Sequence, residues 1–230
     1  TSFLIIVDDE GTFSTGSTIY PMNANGGAQF EATGVSVSDG NYIAIGCGQN
    51  ISKQSGAFTN TSTWVIGVVP GSGQSATIVA GHSITLASNH IVGALAVSNT
   101  AQLDIGSSIL SIDEGGFINN GTLNYTSGSI RYSRNGDQTV GAGTYPNLIL
   151  DGSGTKTLGG NIDVDGELTI NSTLDANAAN NYSINISGDW SNNGTFNEQQ
   201  GLVVFDGGNA QILTNTLGET FYKLKLDKSA

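Results

Sequence analysis

The chain copies itself at a distance of 73 residues. Residues 119–124 read Asn-Asn-Gly-Thr-Leu-Asn, and residues 192–197 read Asn-Asn-Gly-Thr-Phe-Asn. A strand-like run follows each copy, Ser129–Tyr132 in the first and Leu202–Phe205 in the second. Gln138-Thr139-Val140 then matches Gln211-Ile212-Leu213 at the same offset, and Thr144–Asp151 matches Thr220–Asp227 at an offset of 76. Upstream, Leu95-Ala96-Val97 parallels Leu168-Thr169-Ile170. The unit is therefore 73–76 residues long, with copies over about 81–154 and 155–230. A supersecondary unit that recurs at fixed spacing is expected to bury its apolar face against its neighbours. The chain is expected to be a piece of a longer array, with a third unit opening near Ala230.

Within the unit runs a finer rhythm. Three- to five-residue alternating apolar segments recur, among them Ile84-Thr85-Leu86, Leu103-Asp104-Ile105, Leu110-Ser111-Ile112, Ile162-Asp163-Val164 and Ile184-Asn185-Ile186. Alternation puts one set of side chains inside and the other outside. Gly, Asn, Ser and Thr supply 104 of the 230 residues, which disfavours helices and favours short strands between tight turns. Such segments suit a coil in which each strand stacks on its counterpart one turn later. The expected fold is all-β, a right-handed parallel β-solenoid; a β-sandwich with strands every 8–12 residues is the competitor. Asn119-Asn120-Gly121 and Asn192-Asn193-Gly194 are expected at corners with left-handed backbone. Residues 1–52 hold longer runs and read as a small β-sandwich-like or capping segment, with Asp39-Gly40-Asn41 as a turn. Residues 53–63, rich in Ser, Thr and Asn, read as a linker, and the solenoid as 64–230. Expected inward residues are Ile112, Phe117, Leu123, Leu148, Leu150, Val164, Leu168, Ile170, Ile184, Ile186, Trp190, Phe196, Val203, Phe205, Leu224 and Leu226.

Charge narrows the partners. Seven Lys+Arg face 19 Asp+Glu, a net charge of -12, and Lys53 is the one cation in residues 1–130. No basic face for nucleic acid can be assembled, and anionic membrane surfaces are disfavoured for the same reason. No apolar run approaches the ~20 residues of a membrane span. Cys47 stands alone, so no intrachain disulfide forms and a small buried hydrophobe is its expected role.

Thr63-Trp64, Val68-Val69-Pro70-Gly71 and Ala76–Leu86, the Asn-Asn-Gly-Thr units, and Tyr145–Leu158 together resemble solenoid regions of giant cell-surface adhesins of Bacteroidetes. The similarity covers about residues 60–230 and extends to gliding-motility adhesins exported by type IX secretion. It implies an extracellular stalk for cell adhesion, not an enzyme. The implied partners are further repeats of the same chain, surface glycans, or the secretion and motility machinery.

Candidate chemistry is sparse. Asn161–Glu167 imitates the start of an EF-hand loop, but the twelfth position is Ser172 rather than Glu. Asp163, Asp165 and Glu167 are thus weak candidates for structural Ca²⁺, as are Asp8 and Asp9. His82 and His90 lack the further ligands a zinc site needs. Polysaccharide lyases and hydrolases need convergent carboxylates, whereas Asp104, Asp113, Asp151, Asp175 and Asp189 are spread one per turn. Sugar binding uses exposed rings, which makes Tyr125, Tyr132 and Tyr145 weak glycan candidates and a carbohydrate-binding β-helix module the rival function. Trp190 falls where Phe117 falls in the earlier copy, so a core position is expected for both.

Overall fold

A computed structural model of the chain describes residues 2–11, 18–24, 29–48, 50–215 and 218–228. Strand makes up 47%, and there is no α-helix among the described residues. Near the start, β1 (Ser2–Asp8) lies antiparallel between β2 (Thr18–Pro21) and β5 (Tyr42–Gly48). β3 (Asn23–Ala24) and β4 (Phe30–Glu31) form a separate antiparallel pair. Gly40 takes φ +86°, and the Asn41 N–H closes the turn onto the Ser38 carbonyl at 3.1 Å. The Cys47 side chain lies outside the described residues.

The rest is a β-solenoid of about eight turns. β6 (Asn50–Ile51) and β7 (Gly56–Ala57) open it. β8 (Ser75–Ile78), β9 (Ser83–Thr85) and β10 (His90–Val92) form the second turn, and β11 (Ala94–Val97), β12 (Gln102–Gly106) and β13 (Ile109–Ile112) the third. β14 (Phe117–Asn119), β15 (Thr122–Tyr125) and β16 (Ser129–Tyr132) form the fourth, and β17 (Gln138–Val140), β18 (Gly143–Tyr145) and β19 (Asn147–Leu150) the fifth. β20 (Thr155–Leu158), β21 (Ile162–Val164) and β22 (Leu168–Ile170) follow, then β23 (Thr173–Asp175), β24 (Ile184–Ile186) and β25 (Trp190–Asn192). The eighth turn is β26 (Thr195–Asn197), β27 (Leu202–Phe205) and β28 (Leu213–Thr214); β29 (Lys223–Leu226) then lies on β27.

Every ladder in the coil is parallel, apart from the single antiparallel bridge between Ser52 and Trp64. On the third face, Leu110, Ile130, Leu148, Leu168, Trp190 and Leu213 stack in register, so a turn takes 18 to 23 residues. The coil begins earlier than the sequence suggests. Asn50 pairs with Ala76 and Gly56 with Ile84, so residues 53–63 belong to the first turn and are no linker. Phe58 and Trp64 plug that end. Their rings meet edge-on at 4.9 Å, and the buried indole N–H donates to the Phe58 carbonyl at 2.7 Å.

One continuous core runs down the coil. Each buried Leu, Ile, Val or Phe contributes about 1.5–3 kcal/mol relative to exposure. Thirteen of the sixteen expected core residues are buried, and Leu123 is half-buried against the same core. Leu224 and Leu226 are corrections, 50% and 69% exposed. They sit on β29, whose outer edge meets no described strand.

The corners also differ in cause. Gly121 and Gly194 do not take positive φ. Each donates its N–H to the side chain of an Asn two residues back, Asn119 Oδ1 at 3.1 Å and Asn192 Oδ1 at 2.9 Å. A Cβ on Gly121 would collide with the Ala101 carbonyl, and one on Gly194 with the Ser172 carbonyl. Close approach of the preceding turn, not a left-handed backbone, demands glycine there.

The sequence copies do not occupy equivalent places on the coil. β14 is on the first face, whereas its copy β25 is on the third. β16 is on the third face and its copy β27 on the second. The copies lie eleven strands apart, three turns and two faces. Sequence similarity here is strand to strand, because all three faces ask for the same alternating strand and turn.

Candidate functional site

Two of the three faces are broken at one level. β14 ends the first-face sheet that starts at β6, and β17 begins a new one. On the second face β15 ends one sheet and β18 begins another, while the seven-stranded third face runs through from β10 to β28. An unpaired ladder leaves backbone groups without partners, and buried ones must find substitutes.

Two buried phenols supply them. The Tyr132 hydroxyl accepts the Phe117 N–H at 3.3 Å and the Gly141 N–H at 3.0 Å. The Tyr145 hydroxyl donates to the Gly141 carbonyl at 2.7 Å and lies 3.0 Å from the Tyr132 hydroxyl. Burial pushes both phenols well above the usual tyrosine range. The loop between β16 and β17 is braced by Gln138, whose amide donates to the Ile112 and Gly115 carbonyls at 3.0 and 2.8 Å. From the next turn comes Lys156, fully buried. Its ammonium donates to the carbonyls of Arg134, Gly136 and Ser153 at 2.8, 2.9 and 2.9 Å. Burial pushes its pKa down, opposed by the nearby Asp137 carboxylate.

The second copy repeats the ring cluster and its braces a third of a turn away, although there β25 and β28 stay paired. Phe117, Tyr132 and Tyr145 correspond to Trp190, Phe205 and Phe221. Phe221 lies 5.3 Å from Trp190 and 6.2 Å from Phe205, where Tyr145 lies 6.3 Å from both its partners. Gln211 donates to the Ile186 and Gly188 carbonyls, as Gln138 does to its pair. Lys228 donates to the carbonyls of Gly207 and Asn209 at 3.1 and 3.4 Å, the positions 73 residues beyond Arg134 and Gly136. Sequence comparison found the glutamines and missed the lysines. Lys156 and Lys228 are not aligned by the repeat, and a lysine inside a Thr-Lys-Thr strand reads as outward-facing.

Outside the break on the first face lies a cleft of about 560 Å³, floored by Gly115, Gly116 and Gly141 and flanked by Glu114, Arg134 and Asp137. Its charged groups are engaged with one another or the backbone. Arg134 faces Glu114 at 3.8 Å and donates to the Glu114 carbonyl at 3.0 Å. Asp137 accepts the Thr155 N–H at 2.8 Å. The arrangement offers an anchored ion pair and hydroxyls from Thr139 and Thr157, with no histidine or thiol to act as base or nucleophile.

Of the sequence-derived site residues, the structure brings Tyr132 to Tyr145 and Tyr125 to Asp165, but forms no ligand site from them. Tyr132 and Tyr145 are core, at 0% and 1% exposure, and cannot stack on a sugar. Tyr125 is half-buried and its hydroxyl bonds Asp165; that bond, with burial, pushes the phenol up to about 12. Asp163 points out from β21 half-buried. Burial raises its pKa first, and the Asp165 and Asp206 charges add to it. Glu167 accepts from Thr169 Oγ1 at 3.0 Å. Asp8 is buried and accepts the Glu10 N–H at 2.9 Å, while Asp9 is exposed. Among the described residues no three acidic, histidine or cysteine side chains come together as a metal requires. His82 bonds Ser52 Oγ at 2.8 Å, and His90 donates to the Pro70 carbonyl at 2.7 Å. Trp190 and Phe117 are both buried. No family model, no curated protein and no solved structure matches the chain.

Proposed function

We propose that this chain is a non-catalytic stretch of the shaft of a large secreted bacterial surface adhesin, of the kind that serves cell adhesion or gliding motility. The observation that carries this reading is the recurring module of aromatic triad, glutamine brace and lysine clamp, each copy turned a third of the way round the coil. Such a unit closes only against its neighbour, so units extend in one dimension. The acidic charge, with little basic surface, suits a shaft outside the cell. The rival is a glycan-binding flank. Of Trp64, Tyr125, Tyr132, Tyr145, Tyr182 and Tyr222, Tyr222 alone is exposed, at 54%, and a stacking platform needs several rings together.

Two measurements test the reading. Antibody against the purified chain should label intact producing cells, and the chain should be blank on a glycan array and inert towards acidic and neutral polysaccharides. Labelling only after lysis would sink the shaft. Glycan retention abolished by changes at Glu114 and Asp137 would move the protein to the binding class.

A further inference from the structure

The open end of the coil is a surface whose occupant the first copy displays. Four positions there have counterparts one repeat earlier. Leu213 corresponds to Val140, Phe221 to Tyr145, Leu224 to Leu148 and Leu226 to Leu150. The earlier four are at most 1% exposed. The sixth turn covers them in register: Leu158 on Val140, Val164 on Tyr145, Leu168 on Leu148, Ile170 on Leu150. Of the later four, Leu213, Leu224 and Leu226 are 42%, 50% and 69% exposed, and Phe221 is half-buried. Ile212 and Tyr222 beside them are 63% and 54% exposed. At the opposite end the large rings of Phe58 and Trp64 are buried, at 0% and 1% exposure.

We propose that the face formed by residues 212–214 and 221–226 is a docking surface for one further coil turn of the Thr155–Ile170 type. That turn would set an apolar residue over each of Leu213, Phe221, Leu224 and Leu226, and pair its backbone with the free edge of β29. It is a coil segment continuing the shaft, and the inference rests on the shaft reading above. A second copy of the chain seated by its first turn is the alternative occupant. The plug of Phe58 and Trp64 counts against it.

The same comparison designs the test. Asp227 corresponds to Asp151, so residues 152–176 are appended after Asp227 in place of 228–230. The appended copy of Lys156 then stands where it can reach the Gly207 and Asn209 carbonyls that Lys228 holds now. A control graft carries Ser at the copies of Leu158, Val164, Leu168 and Ile170. The expected result is a monomer with a higher unfolding midpoint than the parent, at least tenfold slower amide exchange at Leu224 and Leu226, and less binding of a hydrophobic dye; the control shows none of these. Equal behaviour of the two grafts would overturn the proposal, and so would concentration-dependent dimerisation of the parent that protects the same amides. A docked graft on a chain that never reaches the cell surface would leave the docking standing and remove the adhesin alone.

Discussion

Lys156 carries its charge where water does not reach, and its ammonium meets the Arg134 and Gly136 carbonyls of one loop and the Ser153 carbonyl of the next. Removing a charged donor from buried acceptors costs about 1–3 kcal/mol for the groups left unsatisfied. Lys156→Met should therefore lower stability by about that much in a urea titration, despite the relief of burying a charge. Tyr132→Phe should cost a similar 1–3 kcal/mol, since it orphans the Phe117 and Gly141 N–H groups while leaving the ring in place. Asp163 behaves oppositely. Its folded pKa is raised, so the contribution to stability is full at pH below the ordinary carboxylate range and is lost as pH rises through the folded value. Asp163→Asn should raise the thermal midpoint at pH 7 and leave it unchanged near pH 3. A gain of equal size at both pH values would show that charge is not the cause.

Strands of three to five residues are stable here through what lies above and below them. Leu168 has Leu148 on one side and Trp190 on the other, so Leu168→Ala should cost about 2–5 kcal/mol. Leu226 has Phe205 on one side only, and Leu226→Ala should fall within about 1 kcal/mol of the parent. Gly121→Ala and Gly194→Ala should each cost about 1–3 kcal/mol through collision with the turn beneath; circular dichroism melts of these variants read the difference. The alternation of Leu110-Ser111-Ile112 or Ile184-Asn185-Ile186 made the strands and their inward faces legible from sequence, because period two leaves no other reading for such short runs. The partition into turns was hidden. The conspicuous 73-residue spacing is eleven strands, which is not a whole number of turns, so the visible repeat and the coil period disagree. The fault was hidden too. Tyr132 and Tyr145 look like surface rings until the missing ladder gives their hydroxyls something to do, and Lys156 looks solvated until the loop beneath it is seen. Residues 53–63 read as a linker because Ser, Thr and Asn fill tight first-turn corners as readily as they fill flexible joints.

For the molecule as a whole, the coil is compact along its axis. Each turn adds about 4.8 Å, so a unit of three and two-thirds turns adds about 18 Å of shaft, whereas the same 73 residues drawn out straight reach about 240–260 Å. The ladders run along that axis, so a pull on the ends loads their hydrogen bonds directly. Between the fourth and fifth turns two of the three ladders are absent, and tension there passes through the third face, the Gln138 side chain and the Tyr132 hydroxyl that joins Phe117 to Gly141. Stretched between a surface and a cantilever, the chain should yield first at that level, and Gln138→Leu should lower the force of this first event without moving later ones. A first rupture at either end of the coil would contradict this. A shaft with such a level gives way there before its continuous stretches do, dissipating the work of a sudden tug as a small early yield, and it can rewind when the load is gone.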